Sequence, residues 1–321
     1  MSKQAKIWLI IGASLVLIGC IIFGCVMALL KWDFTKLQTA KYETNHYEIT
    51  ENYKNISIIT DTADIVLMPF EGSKSFVECF EQENIKHCVT VKDDTLTIQI
   101  ADTRKWYEHI GIAFSTPKIT VYIPQSQYGV LLVNGSTGDI HISKNLKFKS
   151  IDIAVSTGSI ETYACALEYI KLKTSTGSIH TKDIRANSLD FCVSTGKISA
   201  QSVSCEGDIK IKVSTGDTKL IDVSCKDIAS SGSTGDISLK NVLATGKISI
   251  ERTTADVKLD SSDAAQLFIK TDTGDVTGSL LSEKIFITQT DTGRVYVPKT
   301  LTGGKCEIIT DTGNIKIDIQ P

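Results

Sequence analysis

A tripeptide ending in Thr-Gly, or one variant of it, returns through most of this chain at a spacing that never leaves 19 or 20 residues. The copies are STGDI (136–140), STGSI (156–160), STGSI (175–179), STGKI (194–198), STGDT (214–218), STGDI (233–237), TTADV (253–257), DTGDV (272–276), DTGRV (291–295) and DTGNI (311–315). A fixed period of this length identifies a stacked repeat, in which each unit is too small to bury its own apolar face and must lie against its neighbours. Between successive copies the apolar residues alternate with polar ones and show no 3.6-residue rhythm, so each unit reads as short strands. The sequence therefore predicts an all-β, single-stack β-solenoid (β-helix) of about ten 19–20-residue coils over residues 131–321.

Stacking places equivalent residues of successive coils ~4.8 Å apart in parallel ladders. One inward column is legible as Ile140, Ile160, Ile179, Ile198, Ile237, Val257, Val276, Val295 and Ile315, interrupted by Thr218. A second follows two residues later, with Ile142, Leu220, Leu239, Leu259 and Ile317. The corner glycines supply positive φ without steric cost, and the hydroxyl or carboxylate before them can bond the turn's own backbone. Ala255 stands where that glycine is expected, which predicts strain or a different turn in its coil.

Asp-Thr-Gly also carries the catalytic carboxylate of aspartic proteases. Here Asp272, Asp291 and Asp311 fall at equivalent corners, whereas a protease dyad needs two carboxylates facing each other in a cleft. Corner turns are the better reading. A column of like charges could instead recruit Ca²⁺, although the glycine-rich nonapeptide grammar of calcium-binding β-rolls is missing. His141 and His180 fall three residues after the corner glycine, in an outward register. Cys205 and Cys225 fall nine after it, in line with Ala244 and Ala264, which suggests a small inward ladder of inert thiols.

Seven cysteines lie beyond residue 30 with no CxxC and no Cys/His cluster at metal spacing, so neither a disulfide framework nor a zinc site is expected. Cys79 and Cys88 could pair across a hairpin, but two small half-buried residues is the simpler reading. No GxSxG, HExxH, P-loop or Rossmann signature occurs in a fitting context. The expectation is no enzyme, with no catalytic, cofactor-binding or metal residues and no cofactor. A formal charge of −3 without a Lys/Arg-rich run lacks the footprint of a nucleic-acid binder.

The N-terminus follows other rules. Residues 7–30 are uncharged and apolar, and 24 residues at ~1.5 Å each span a ~30 Å hydrocarbon core. Lys3 and Lys6 precede the stretch, which predicts a cytoplasmic N-terminus, a single-pass anchor in the cell membrane and an extracellular repeat domain. Leu17-Ile18-Gly19-Cys20 also fits a lipoprotein cleavage box with Cys20 lipidated, although the ten apolar residues after Cys20 oppose processing there.

The chain thus divides into a cytoplasmic stub and membrane helix (1–30), a juxtamembrane segment (31–55), a β-rich cap region (56–130) and the solenoid (131–321). The cap should cover the membrane-proximal end of the stack, with Trp106 and Tyr107 of RKWYEHIGI as packing residues, and TDTADI (60–65) echoes the repeat within it. The other end has no evident cap. Residues 315–319 are expected to offer an edge for strand addition, through which the protein could self-associate, moderated by Asp318 and Pro321.

The membrane helix, the run KWDFTKL (31–37), the segment KYETN (41–45), RKWYEHIGI and the Thr-Gly coils together resemble a bacterial β-strand-repeat family of unknown function. It carries an adhesin label and is common in Gram-positive clostridia. The resemblance implies a solenoid at the cell envelope and offers no catalytic residues. It supports a non-enzymatic candidate adhesin or envelope-binding protein, with cell-wall polymer, a glycan or a surface protein as partner. Some relatives look linked to envelope stress, which implies as the alternative a regulatory accessory protein acting through a membrane partner.

Overall fold

The computed structural model describes residues 2–37, 40–102 and 115–320. A helix, Lys3–Leu29, opens the chain, capped by the Ser2 hydroxyl, which accepts from the Ala5 amide at 3.2 Å. It is long and apolar enough to cross a membrane, and almost all of its side chains are uncovered by the rest of the chain. Beyond its C-cap, Leu30, the chain turns through Lys31 and Trp32, both with positive φ.

Strands make up nearly all the rest, joined in one continuous hydrogen-bonded system. The inward column predicted from the repeat exists. Its in-register order is Ile119, Ile65, Ile140, Ile160, Ile179, Ile198, Thr218, Ile237, Val257, Val276, Ile315, Val295. All but Val295 are buried. A second column packs against it from the strand preceding each corner, running Ile151, Ile170, Leu189, Ile209, Ile228, Ile248, Leu267.

That order departs from chain order at both ends. The last coil, Gly304–Thr312 with Ile315–Ile319, slots between the coils of Val257–Thr273 and Lys284–Thr292, so the penultimate coil is outermost. At the N-terminal end the coil formed by Asn55–Thr62 and Asp64–Phe70 likewise lies inside the one formed by Thr95–Asp102 and Lys118–Pro124. TDTADI is therefore a true coil corner and not only an echo. Antiparallel strands then close this end: Ile85–Lys92 on Thr95–Asp102, Ser75–Gln82 on Lys118–Pro124, and Tyr42–Ile49 on Ser75–Gln82. Trp106 and Tyr107 lie outside the described residues.

Glycine at the corner answers two demands at once. Gly177 has φ +142°, and a β-carbon there would run into the carbonyl oxygen of Gly158 in the coil below. Ala255 escapes both: it is not among the positive-φ residues, and its amide still donates to Thr273 O at 2.9 Å, so the coil turns differently and keeps its ladder bond. A second corner was not evident from the repeat. Asn145, Asp183, Ser202, Asp222, Asn241 and Ser261 adopt φ between 49° and 69°, a left-handed kink that short polar side chains tolerate best.

Thr218 interrupts the aliphatic column because Arg252 reaches into the core beside it. The guanidinium donates to Thr218 Oγ1 (3.2 Å), Ser230 Oγ (3.2 Å) and the Val213 carbonyl (3.4 Å), while its Nε has no partner. Gly232 leaves the room for it. Burial lowers the Arg252 pKa, and among the described residues no carboxylate offsets that cost.

Candidate functional site

The corner aspartates separate into two columns with different jobs. At most corners the residue after the glycine, or after Ala255, accepts through its side chain the backbone N–H of the same position one coil on; Lys197, an ammonium with no acceptor, breaks the series. Asp217 accepts from Asp236 (3.3 Å), Asp236 from Asp256 (2.9 Å), Asp256 from Asp275 (2.8 Å), Asp275 from Asn314 (2.6 Å), and Asn314 from Arg294 (3.1 Å). These carboxylates, and the Asn314 amide oxygen, staple the coils. Asp272, Asp311 and Asp291 stand in that spatial order two residues before the glycine and point outward, with Asp291 and Asp311 exposed. They do not converge as a ligand set for a cation; among the described residues the one group of three that does so lies elsewhere.

Outside the coils, equivalent residues form ladders of alternating charge. Asp152, Lys171, Asp190 and Lys210 are consecutive rungs, and Lys171 Nζ lies 3.2 Å from Asp152 Oδ2. Beside them Tyr169 and the turns at Asn187 and Gly207 frame a shallow groove that also takes in Lys226. Amide, hydroxyl and paired charges around a half-exposed ring suit a polar, hydroxyl-rich ligand better than an apolar one. His141 and Glu161 make a similar outward pair, with Nδ1 2.9 Å from Oε2. The Tyr163 hydroxyl also bonds Glu161 and, with His141, holds that carboxyl below its usual range. His180 is the next rung, as its outward register predicted. Cys205 and Cys225 are buried in line with Ala244 and Ala264, and burial raises both thiols, Cys225 to about 12.

The cap holds a cluster that the sequence analysis missed. Cys79 and Glu81 sit two apart on Ser75–Gln82, so both face inward, and the hairpin returns His87 beside them on Ile85–Lys92. Exposure is 0%, 0% and 4%. Glu81 Oε2 accepts from the His87 amide (2.6 Å) and lies 2.6 Å from its Nδ1, while Oε1 accepts from Asn45 Nδ2 at 2.7 Å. His87 Nε2 lies 3.2 Å from Thr60 Oγ1. Tyr47 donates to the His87 carbonyl, and burial with Glu81 nearby pushes its phenol up to about 12. Cys79 is likewise raised to about 12, first by burial and then by Glu81. Cys-x-Glu-x5-His matches no motif spacing; the only sequence signal was a Glu at an inward strand position. Cys79 and Cys88 are both free thiols.

The far end is open. On Lys284–Thr292 the inward positions are Phe286, Thr288 and Thr290, in register with Cys306, Ile308 and Thr310 of the coil below, and among the described residues no strand pairs with its other side. Val295 and Tyr296 lie over Ile315 and Lys316, leaving residues 317–319 unpaired on that side. The free edge expected at residues 315–319 is therefore shared, and most of it belongs to Lys284–Thr292. Ile285, Ile287, Tyr296 and Leu301 are exposed around it. Lys284 is buried at the start of this strand, with Nζ 2.6 Å from Asp263 Oδ1 and a further bond to Ser282.

These features define an all-β repeat solenoid with one apolar helix long enough to span a membrane. The chain belongs to the Toastrack DUF4097 family, whose model matches residues 53–318. Among solved structures, a candidate lipid-binding protein from Parabacteroides distasonis is 16% identical and aligns over 88% of this chain and 98% of its own, with a TM-score of 0.50. A candidate adhesin from Bacteroides fragilis is 17% identical over 87% of this chain and 97% of its own, with a TM-score of 0.32. A candidate cell adhesion protein from Clostridium sporogenes is 11% identical over 88% and 100%, with a TM-score of 0.23. No curated protein matches. At such identities the likeness concerns the fold alone.

Proposed function

We propose that this is a non-enzymatic, single-pass protein of a Gram-positive envelope whose repeat domain binds wall polymer or another surface glycan outside the cell. The observation that carries the reading is the groove beside Tyr169 and the Asp152–Lys171–Asp190–Lys210 ladder, a repetitive polar face suited to a repetitive polar ligand. Lys3 and Lys6 ahead of the helix favour a cytoplasmic N-terminus. In this proposal residues 1–30 anchor, 31–55 connect and lend the strand Tyr42–Ile49 to the cap, 56–130 close the near end and also lend its two outer coils, and 131–321 display the ladders.

Purified full-length protein in detergent, sedimented with isolated Gram-positive cell walls with and without Ca²⁺, tests it. Saturable binding weakened by Tyr169→Ala and Lys171→Ala is expected. Absence of binding in both conditions would remove this reading. The weight would then move to a second one, an envelope-stress accessory acting through a membrane partner. What favours that alternative is the helix surface, nearly all of which the described residues leave uncovered.

A further inference from the structure

We propose that Cys79, Glu81 and His87 form a binding site for one divalent transition-metal ion of the zinc class, which staples the cap hairpin to the first coil. The three ligand atoms already lie within 4.8 Å of one another, close to the spacing that a tetrahedral ion imposes on sulfur, oxygen and nitrogen donors. Strand geometry supplies two of them, because residues two apart share a face, and the hairpin supplies the third. The charges balance: a thiolate and a carboxylate neutralise a dication, so a buried site carries no net charge. A water completes the fourth position.

The surroundings have the form of a supporting shell. With Nδ1 on the metal, the imidazole proton sits on Nε2, where Thr60 Oγ1 at 3.2 Å is placed to accept it. The thiol proton leaves to solvent. Glu81 Oε2 takes the metal in place of the Nδ1 hydrogen bond, while Oε1 keeps its bond from Asn45 at 2.7 Å. Thr60 belongs to Asn55–Thr62 and Asn45 to Tyr42–Ile49, so the shell joins the hairpin to both the solenoid and the outermost strand. Hydrogen bonds alone could hold the histidine to the glutamate; they give no reason for a third soft ligand, fully buried, to converge on the same point.

The test is titration of the reduced full-length protein in detergent with Co²⁺, then Zn²⁺. The expected result is one equivalent of Co²⁺ with a thiolate charge-transfer band, displaced by Zn²⁺, and a rise in the thermal unfolding midpoint with Zn²⁺. Cys79→Ser and His87→Gln should abolish the band, and Asn45→Ala and Thr60→Val should weaken binding about 10- to 100-fold. Should Cys79→Ser not fold, wild type with the half-exposed Cys88, Cys165 and Cys192 replaced by Ser must still give the band. No saturable binding by wild type, an unchanged band in Cys79→Ser, or its loss on replacing those three thiols would each overturn the proposal.

Discussion

The two ends of the solenoid start from the same device and finish it differently. At each, the coil nearest the chain terminus is tucked one place in from the end of the stack, so its strands Asn55–Thr62 and Gly304–Thr312 are paired on both sides. A terminal strand held this way cannot fray before its neighbour opens. The N-terminal end is then sealed by antiparallel strands and stacked rings, with Phe76–Tyr122 centroids at 4.3 Å and Tyr42–Phe80 at 5.1 Å. The C-terminal end is left with threonines and a half-covered Phe286. Solenoid ends are an aggregation liability unless managed, so the contrast leaves the far end as the free edge of the stack, the one open to strand addition in principle.

Five substitutions would break or sharpen that contrast. The largest effect is expected at the sealed end. Val77 is fully buried on Ser75–Gln82 and pairs with Val121, so Val77→Asp puts an uncompensated charge in the cap. It should cost more than ~3 kcal/mol and bring the global unfolding midpoint in urea down sharply.

At the open end the largest loss should be local. Asp263→Ala strands the buried Lys284 ammonium, an effect on the order of 3–5 kcal/mol. Hydrogen exchange should speed up over residues 284–296 and stay slow over residues 76–80. Equal acceleration at both ends would show that the stack melts as one unit and that the contrast has no energetic meaning.

Arg252, midway along the stack, serves as a reference for both. Replacing a buried guanidinium that has no carboxylate with Met should be neutral or stabilising by up to ~4 kcal/mol in a urea melt. A marked loss would assign its neutral acceptors more strength than that.

The smallest change in stability is expected on the free edge. Ile287 is exposed there, and Ile287→Lys should shift monomer stability by less than ~0.5 kcal/mol while abolishing any concentration-dependent association seen by analytical ultracentrifugation. If wild type remains a monomer at high concentration, self-association through this edge is excluded. A pH effect belongs in the same range. Because Tyr163 and His141 lower the Glu161 pKa, its stabilisation is complete above the unfolded carboxyl value of about 4.5 and is lost as pH falls through the lower folded value. Tyr163→Phe should flatten the acid limb of the melting curve only slightly, since Glu161 is partly exposed.

Much of this molecule could be read before any coordinates. The Thr-Gly period determined the coil, because a corner that stacks glycine on carbonyl leaves no room for a side chain unless the turn changes, as at Ala255, and so glycine recurs there every 19 or 20 residues. Alternation determined which column faces in, and the uncharged run of residues 7–30 determined the helix. Three things were left to the tertiary structure. The spatial order of coils is not encoded in a period, because equivalent coils offer the same pairing edge, and so residues 284–296 rather than the last coil form most of the free end. The left-handed kinks carry Asn, Asp and Ser interchangeably, which blurs their signal. Cys79, Glu81 and His87 meet only because a strand face and a hairpin return converge under Asn45 and Thr60. Such a convergence is a property of packing between distant segments, to which local spacing is blind.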